Sequence, residues 1–207
     1  MVHSTQTDEF LHIKEETVCA FSTKMCKSIE RMTKMLKMFT TQLTGLFGRL
    51  QSKEEMEIEN AARLLAQATV GDGSIYIKGF GEMAGVAAEA LQGEEPLEGV
   101  RELQNNIAGL TVADRVLLVT RRTTDPQALS FAEKLMEAEI PFAVIAGKVK
   151  DAEGDLEEKA DSFLNTQTVR GMLPDETGGR FGFPSLMAAL YLYHGVKFVL
   201  DEILEDY

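Results

Sequence analysis

The sequence predicts an α/β protein: a three-layer α/β/α sandwich around a five-stranded parallel sheet with flavodoxin-like strand order. Three observations predict it. Val116, Leu117, Leu118 and Val119 form an uninterrupted apolar run, as does the stretch 142–146, and such runs fit strands buried on both faces. These runs alternate with segments whose apolar residues recur at helical spacing. Asp125-Pro126, just after the first run, supplies a helix N-cap and a favourable first helical residue, so the strand feeds a helix and the next strand closes a βαβ unit, right-handed by strong default.

The elements follow in order. Leu36, Phe39, Leu43, Leu46, Phe47 and Leu50 make an amphipathic stripe that begins abruptly at Met35. A second helix is predicted over 53–68, carrying Met56, Ile58, Ala61, Ala62, Leu64, Leu65 and Ala68, and Gly71-Asp72-Gly73 stops it. Residues 74–78 read as the first strand, Gly79-Phe80-Gly81 as a tight turn, and 82–91 as an Ala-rich helix with Val86, Ala87, Ala90 and Leu91 inward. A weaker strand near 100–103 and a short helix over 106–110 lead to the strand at Val116. The next helix runs to about Ala138 with Leu129, Ala132, Leu135 and Met136 inward, and 142–146 is again a strand. A solvated helix within 150–161, an edge strand over 162–166 and a flexible stretch at 178–182 precede the longest helix, 184–204. One stripe of that helix holds Leu186, Ala189, Leu190, Tyr193, Val196, Lys197 and Leu200, and its neighbour holds Met187, Tyr191, His194 and Phe198.

Length and composition bound the rest. The chain has 207 residues, 44% of them hydrophobic and 26% charged, which suits one soluble domain. A net charge of -12 argues against a nucleic-acid or anionic-membrane surface, since both need a basic footprint. No apolar run reaches the roughly 18 residues of a membrane span, and no basic-then-apolar signal opens the chain, so a cytoplasmic protein is expected. Cys19 and Cys26 lack clustered histidines and read as free thiols; no metal site and no cofactor are implied. Residues 1–34 are neutral, Lys14, Lys24, Lys27, Arg31 and Lys34 offsetting Asp8, Glu9, Glu15, Glu16 and Glu30, so all the net charge lies in 35–207. The folded unit is therefore expected to start near Met35, with 1–34 an extension or a translated leader, disordered or outside the native fold.

The residues after Val119 carry the chemistry. Thr120, Thr123 and Thr124 supply hydroxyls, Arg121 and Arg122 fixed positive charge, and the helix opened by Asp125 offers amide groups at its N-terminus. An anion-binding loop for a phosphorylated small molecule is the reading. Gly79-Phe80-Gly81-Glu82-Met83-Ala84 also fits a dinucleotide fingerprint, with Glu102 near the place of a ribose-binding acid. Against it, Glu82 puts a carboxylate where pyrophosphate would sit, and glycines that merely turn a strand into a helix explain the motif equally well.

Taken together, residues from about 53 to 204 resemble the SIS (sugar isomerase) domain in the order and spacing of their motifs. Residues 74–81 look like that family's first strand and glycine turn, and 114–120 like its strand into the phosphate loop. The resemblance is strongest to an uncharacterised bacterial branch similar to phosphoheptose isomerase. The family's loop is Ser-Gly-Ser-Gly-x-Thr-like, whereas here Thr120 falls on the first Ser, Arg121 and Thr123 on the glycines, Arg122 on the second Ser and Asp125 on the Thr. Loss of the two glycines moves the anion outward, swaps close backbone contacts to phosphate for guanidinium contacts, or abolishes the site.

The resemblance implies a phosphosugar-binding protein, as a sugar-phosphate aldose–ketose isomerase or a non-catalytic sensor, with a dinucleotide enzyme as a third reading. It also implies a homodimer or homotetramer, because the N-terminal helix of SIS proteins packs across subunits. For isomerisation, one group must shuttle a proton between adjacent carbons while another serves the oxygens. Glu89 and His194 match approximately the carboxylate and histidine that phosphoheptose isomerases use, though Glu89 is offset; a solvated Glu89 and a core or interface His194 are the plainer alternatives. Arg180, among Gly178, Gly179 and Gly182, is a candidate anion clamp or simply an exposed loop arginine. Ser185 is expected to cap the last helix.

Overall fold

A computed structural model describes the backbone of residues 5–206 and side chains from Met25 onward, Lys27 excepted. The chain falls into two compact units, Met1–Gln42 and Leu43–Tyr207. The first helix, α1, is assigned to Thr5–Val70, so helix begins well before the stripe that starts at Met35. Cys26 is a free, exposed thiol, as expected, and the Cys19 side chain lies outside the described residues. Between Leu43 and Val70 the helix is unbroken, which replaces the two helices expected from the sequence. No proline stands near Ser52 to divide them, Gly45 and Gly48 are carried within the helix, and one face stays apolar throughout.

The second unit contains the sheet. Strands β1 (Ile75–Gly79), β2 (Arg101–Glu102), β3 (Arg115–Arg122), β4 (Phe142–Gly147) and β5 (Ser162–Asn165) lie in the order β2-β1-β3-β4-β5, with every pair parallel. This is the flavodoxin-like order, and its switch point lies between β1 and β3. The helices are α2 (Ala84–Gln92), α3 (Pro126–Glu137), α4 (Leu156–Lys159) and α5 (Ser185–Glu205).

Alternation along the strands divides the core in two. Ile75, Ile77, Leu117, Val119, Ala143, Ile145 and Leu164 pack with Leu46, Leu50, Leu65, Val86, Leu192, Val196 and Leu200, which places the 43–70 part of α1, α2 and α5 on one face. Val116, Leu118, Phe142, Val144 and Ala146 pack with Phe131, Ala132, Leu135 and Leu156, which places α3 and α4 on the other. Lys197 belongs to the inward stripe of α5, as its spacing predicts. Its stem is buried, and its ammonium donates to Asp201 Oδ2 at 2.5 Å, one helical turn on.

Several local expectations are corrected. Met56 and Met136 are exposed, because each lies just off the arc that faces the core. Residues 106–110 form turns, closed by Leu110 N–H donating to the Ile107 carbonyl, in place of the short helix. The stretch 178–182 is part of an antiparallel hairpin of β6 (Leu173–Pro174) and β7 (Arg180–Phe181), with Gly178 and Gly182 at positive φ. Ser185 does not cap α5: its hydroxyl is buried and donates to the Thr168 carbonyl at 3.4 Å.

Candidate functional site

At the switch point, the C-terminal ends of β1 and β3 enclose a cleft of about 320 Å³ lined by Phe80, Gly81, Glu82, Arg121, Arg122, Thr124, Asp125 and Pro126. Open parallel sheets place ligands in such crevices. Two tight turns build its walls. At Gly79 a Cβ would stand 2.2 Å from the Met83 carbonyl oxygen, so only glycine lets the chain fold back here. Gly81 sits at φ +58° with open space around it, and the chain passes through one 3-10 turn, Gly81–Met83, before α2 begins.

On the other wall, β3 extends to Arg122, so Thr120, Arg121 and Arg122 belong to the strand where the sequence reading put a loop. The ladder to β4 slips here: Val119 pairs with Ile145, yet Arg122 pairs with Gly147, so β3 carries one extra residue. Adjacent side chains on a regular strand point to opposite faces, and a bulge relaxes that rule. Arg121 and Arg122 can thus both line the cleft.

The hydroxyls divide into builders and free donors. Thr120 is fully buried and donates to Asp125 Oδ2 at 2.8 Å. Thr123 is equally buried, and its Oγ1 accepts from Val149 N–H at 3.1 Å. Asp125 Oδ1 accepts from the backbone N–H of Gln127 and Ala128, so the predicted N-cap and first-position proline both form. One expectation fails as a result: Asp125 itself takes those amides of the α3 N-terminus, which are therefore not directed at a guest. Among the described residues, the Arg122 guanidinium and the Thr124 hydroxyl have no polar side-chain contact and remain available.

Glu82 is the group whose role was not foreseen. Its Oε1 accepts from Arg121 Nε in an ion pair, with the Arg121 side chain about half exposed and that of Glu82 a little over one-third. Burial pushes the Glu82 carboxyl up, but the hydrogen bond and charge of Arg121, together with its own backbone amide, outweigh this and hold it below the usual carboxylate range. Thirty-nine residues separate the partners, so only the fold brings them together. Lys78 also went unnoticed. Its ammonium donates to the carbonyls of Leu103 and Gln104 and to Asn105 Oδ1, and it lies over the rings of Phe80 and Phe131 at 5.5 and 5.1 Å. Partial burial lowers its pKa, against the opposing charge of Glu102. Lys78 thus holds Phe80, which lines the cleft, and the exit of β2.

The acid–base candidates lie elsewhere. Glu89 on α2 and His194 on α5 stand 4.0 Å apart, Oε1 to Nε2, each a little over one-third exposed. Two helical turns, about 10 Å, separate Glu89 from Glu82 along the chain. His194 lines a groove of about 1140 Å³ between the 51–63 stretch of α1 and α5, with Ile58, Tyr191 and Phe198 among its walls. That groove shares no lining residue with the switch-point cleft. Arg180 is held by its own hairpin, its Nε and Nη2 donating to the carbonyls of Gly171 and Met172 at 2.7 and 2.6 Å. Glu102 is exposed on β2 and accepts from Gln104. No cluster of His, Cys, Asp and Glu fit to hold a metal occurs among the described residues, and none of their helices is long and apolar enough to cross a membrane.

Comparison with known proteins places the family and the fold. The family model described as a domain of unknown function, DUF2529, matches residues 35–204. The uncharacterized protein YwjG of Bacillus subtilis (strain 168) is 42% identical over 173 residues, which covers 84% of this chain and 99% of that protein. Among solved structures, the phosphoheptose isomerase GmhA from Neisseria gonorrhoeae superposes with a TM-score of 0.54 at 14% identity, covering 83% of this chain and 98% of that one. The Vibrio vulnificus NanR protein, solved with ManNAc-6P, superposes at 0.59 with 15% identity over 84% of this chain; the chain spans 63% of NanR's length. The fold is thus shared with phosphosugar isomerases and a phosphosugar-bound protein.

Proposed function

The chain belongs to the DUF2529 family, and from that premise we propose that it binds a phosphosugar in the switch-point cleft. The observation that carries the proposal is the pair of guanidinium groups, Arg121 and Arg122, set with Thr124 in a cleft of about 320 Å³ between β1 and β3. That volume lies near the lower end for small-molecule sites, about 300–1,000 Å³, and suits a monosaccharide phosphate better than a dinucleotide. Arg122 and Thr124 give free donors for phosphate, and Arg121 joins them when it leaves Glu82. The glycines of the dinucleotide fingerprint are accounted for by the backbone, and Glu82 stands where pyrophosphate would lie. Solved relatives of this fold include both an isomerase and a protein bound to ManNAc-6P.

Binding without chemistry is the reading the geometry favours, because Glu89 and His194 line no part of the cleft. The protein then acts as a phosphosugar sensor or carrier, in the cytoplasm, with 35–207 as its working domain. A second reading, aldose–ketose isomerisation similar to that of phosphoheptose isomerase, draws on the proximity of Glu89 and His194, two groups able to exchange a proton. Met187 and Phe198 on α5 are large exposed apolar residues, and they fit the expected homodimer or homotetramer.

Thermal-shift titration separates the readings. Stabilisation by sugar phosphates and inorganic phosphate is expected, and stabilisation by NAD alone would overturn the proposal. NMR of bound sedoheptulose phosphate and fructose phosphate should show no interconversion. Turnover that Glu89→Gln and His194→Ala abolish without loss of binding would establish the isomerase instead.

A further inference from the structure

Resting on the cleft reading above, we propose that the ligand is zwitterionic, a sugar phosphate with a free protonated amine, and that Glu82 selects it. The cleft contains two guanidinium groups, Arg121 and Arg122, and two carboxylates, Glu82 and Asp125. Its formal charge is balanced before any guest arrives.

The two carboxylates are not equivalent. Asp125 is committed to the architecture, since one oxygen accepts from the amides of Gln127 and Ala128 and the other from the Thr120 hydroxyl. Glu82 has Arg121 as its one side-chain donor among the described residues and is a little over one-third exposed. Held below the usual carboxylate range, it is anionic at neutral pH.

A phosphate on a neutral sugar meets a conflict here. To use Arg121 it must take that guanidinium from Glu82 and leave an ionised carboxylate facing its own negative charge. A like charge at such range opposes binding. An ammonium group on the sugar resolves the conflict by exchange: Arg121 passes from carboxylate to phosphate, while Glu82 passes from guanidinium to ammonium. Every ionised group keeps a partner. A cleft without Glu82 would hold any phosphate monoester on its two arginines, so the carboxylate contributes discrimination and not general affinity.

The test is isothermal calorimetry on the full chain at neutral pH with glucosamine-6-phosphate, glucose-6-phosphate and N-acetylglucosamine-6-phosphate. The free amine should bind about tenfold tighter than the other two, the order expected of one charge-assisted contact in a half-exposed site. Glu82→Gln should bring all three to within about twofold, weakening the amine and strengthening the neutral sugars as Arg121 is released. Glu82→Asp, which keeps the charge, should keep the ranking. Equal affinities in the native chain, or a preference that survives in Glu82→Gln, would overturn selection by Glu82 while leaving the phosphate cleft intact. Failure of all three sugars and of inorganic phosphate to bind would overturn the cleft itself, and this inference with it. If Glu82→Gln does not fold, Glu82→Ala supplies the same comparison, and equal affinities in the native chain overturn the proposal on their own.

Discussion

Replacing Arg122 with alanine isolates binding from folding. The Arg122 side chain is exposed and has no polar partner among the described residues, so its loss should change stability by no more than about 0.5 kcal/mol. Toward phosphate the same guanidinium makes a charge-assisted contact of about 1.5–3 kcal/mol, and exposure discounts this to about 1–2 kcal/mol. The upper half of that range is a tenfold or greater loss of affinity, since about 1.4 kcal/mol is a factor of ten. At a ligand concentration of about 100 Kd, binding stabilises the native chain by about 2.7 kcal/mol; tenfold weaker binding leaves about 1.4 kcal/mol. For a chain of this size that is a ligand-induced rise in Tm of about 5–11 °C, reduced to about 3–6 °C in Arg122→Ala. Differential scanning fluorimetry with glucosamine-6-phosphate reads both quantities, the Tm without ligand and the increment with it. An unchanged increment would remove β3's end from the site. A large fall in Tm without ligand would show that Arg122 supports the fold, and would refute the separation argued here.

Three further perturbations address the scaffold. Glu54 on α1 is buried and accepts from Asn165 N–H at 3.0 Å and Gln167 Nε2 at 3.3 Å, tying helix to sheet. Glu54→Ala leaves the Asn165 amide unpaired and should cost about 2 kcal/mol in urea unfolding, with Glu54→Gln losing less. Gly79→Ala drives a Cβ against the Met83 carbonyl and should cost about 3 kcal/mol or more, whereas Gly81→Ala, strained only by its positive φ, should cost about 1 kcal/mol; equal losses would refute the turn geometry. The Tyr193 hydroxyl is buried without a hydrogen-bond partner, and burial, with the charges of Glu89 and Asp201, pushes its pKa up from 10.0 to about 12. The native state therefore retains the proton longer than the unfolded chain. The stabilisation is complete below pH 10.0 and is lost as pH rises toward about 12, and Tyr193→Phe should flatten that alkaline limb in pH-dependent melts while leaving neutral stability unchanged or slightly higher.

The architecture was legible because its signals are local. The apolar run at Val116 fits a strand buried on both faces, and Asp125-Pro126 fits the opening of a helix, so element order and fold class follow from neighbours in sequence. Met56 and Met136 were misplaced for the same reason: periodicity fixes an arc, and its edge depends on what packs against it. The hairpin of β6 and β7 escaped notice because two-residue strands carry no periodicity. At the site, the threonines and arginines were identified by composition, but composition cannot distribute them. Thr120 and Thr123 turned out to hold the walls, and Arg122 and Thr124 to remain free.

By itself, the sequence determined a parallel α/β sheet, the glycine turn after β1, the capped helix after β3, and a concentration of cationic and hydroxyl groups between them. Only the tertiary structure decided how those groups are paired. It bulged β3 so that Arg121 and Arg122 share one cleft, joined Arg121 to a carboxylate thirty-nine residues away, and set Glu89 beside His194, which lines a separate groove. Secondary structure is written in short-range periodicity and capping, whereas the charge state of a site depends on which distant side chains the packed sheet brings within a few ångströms.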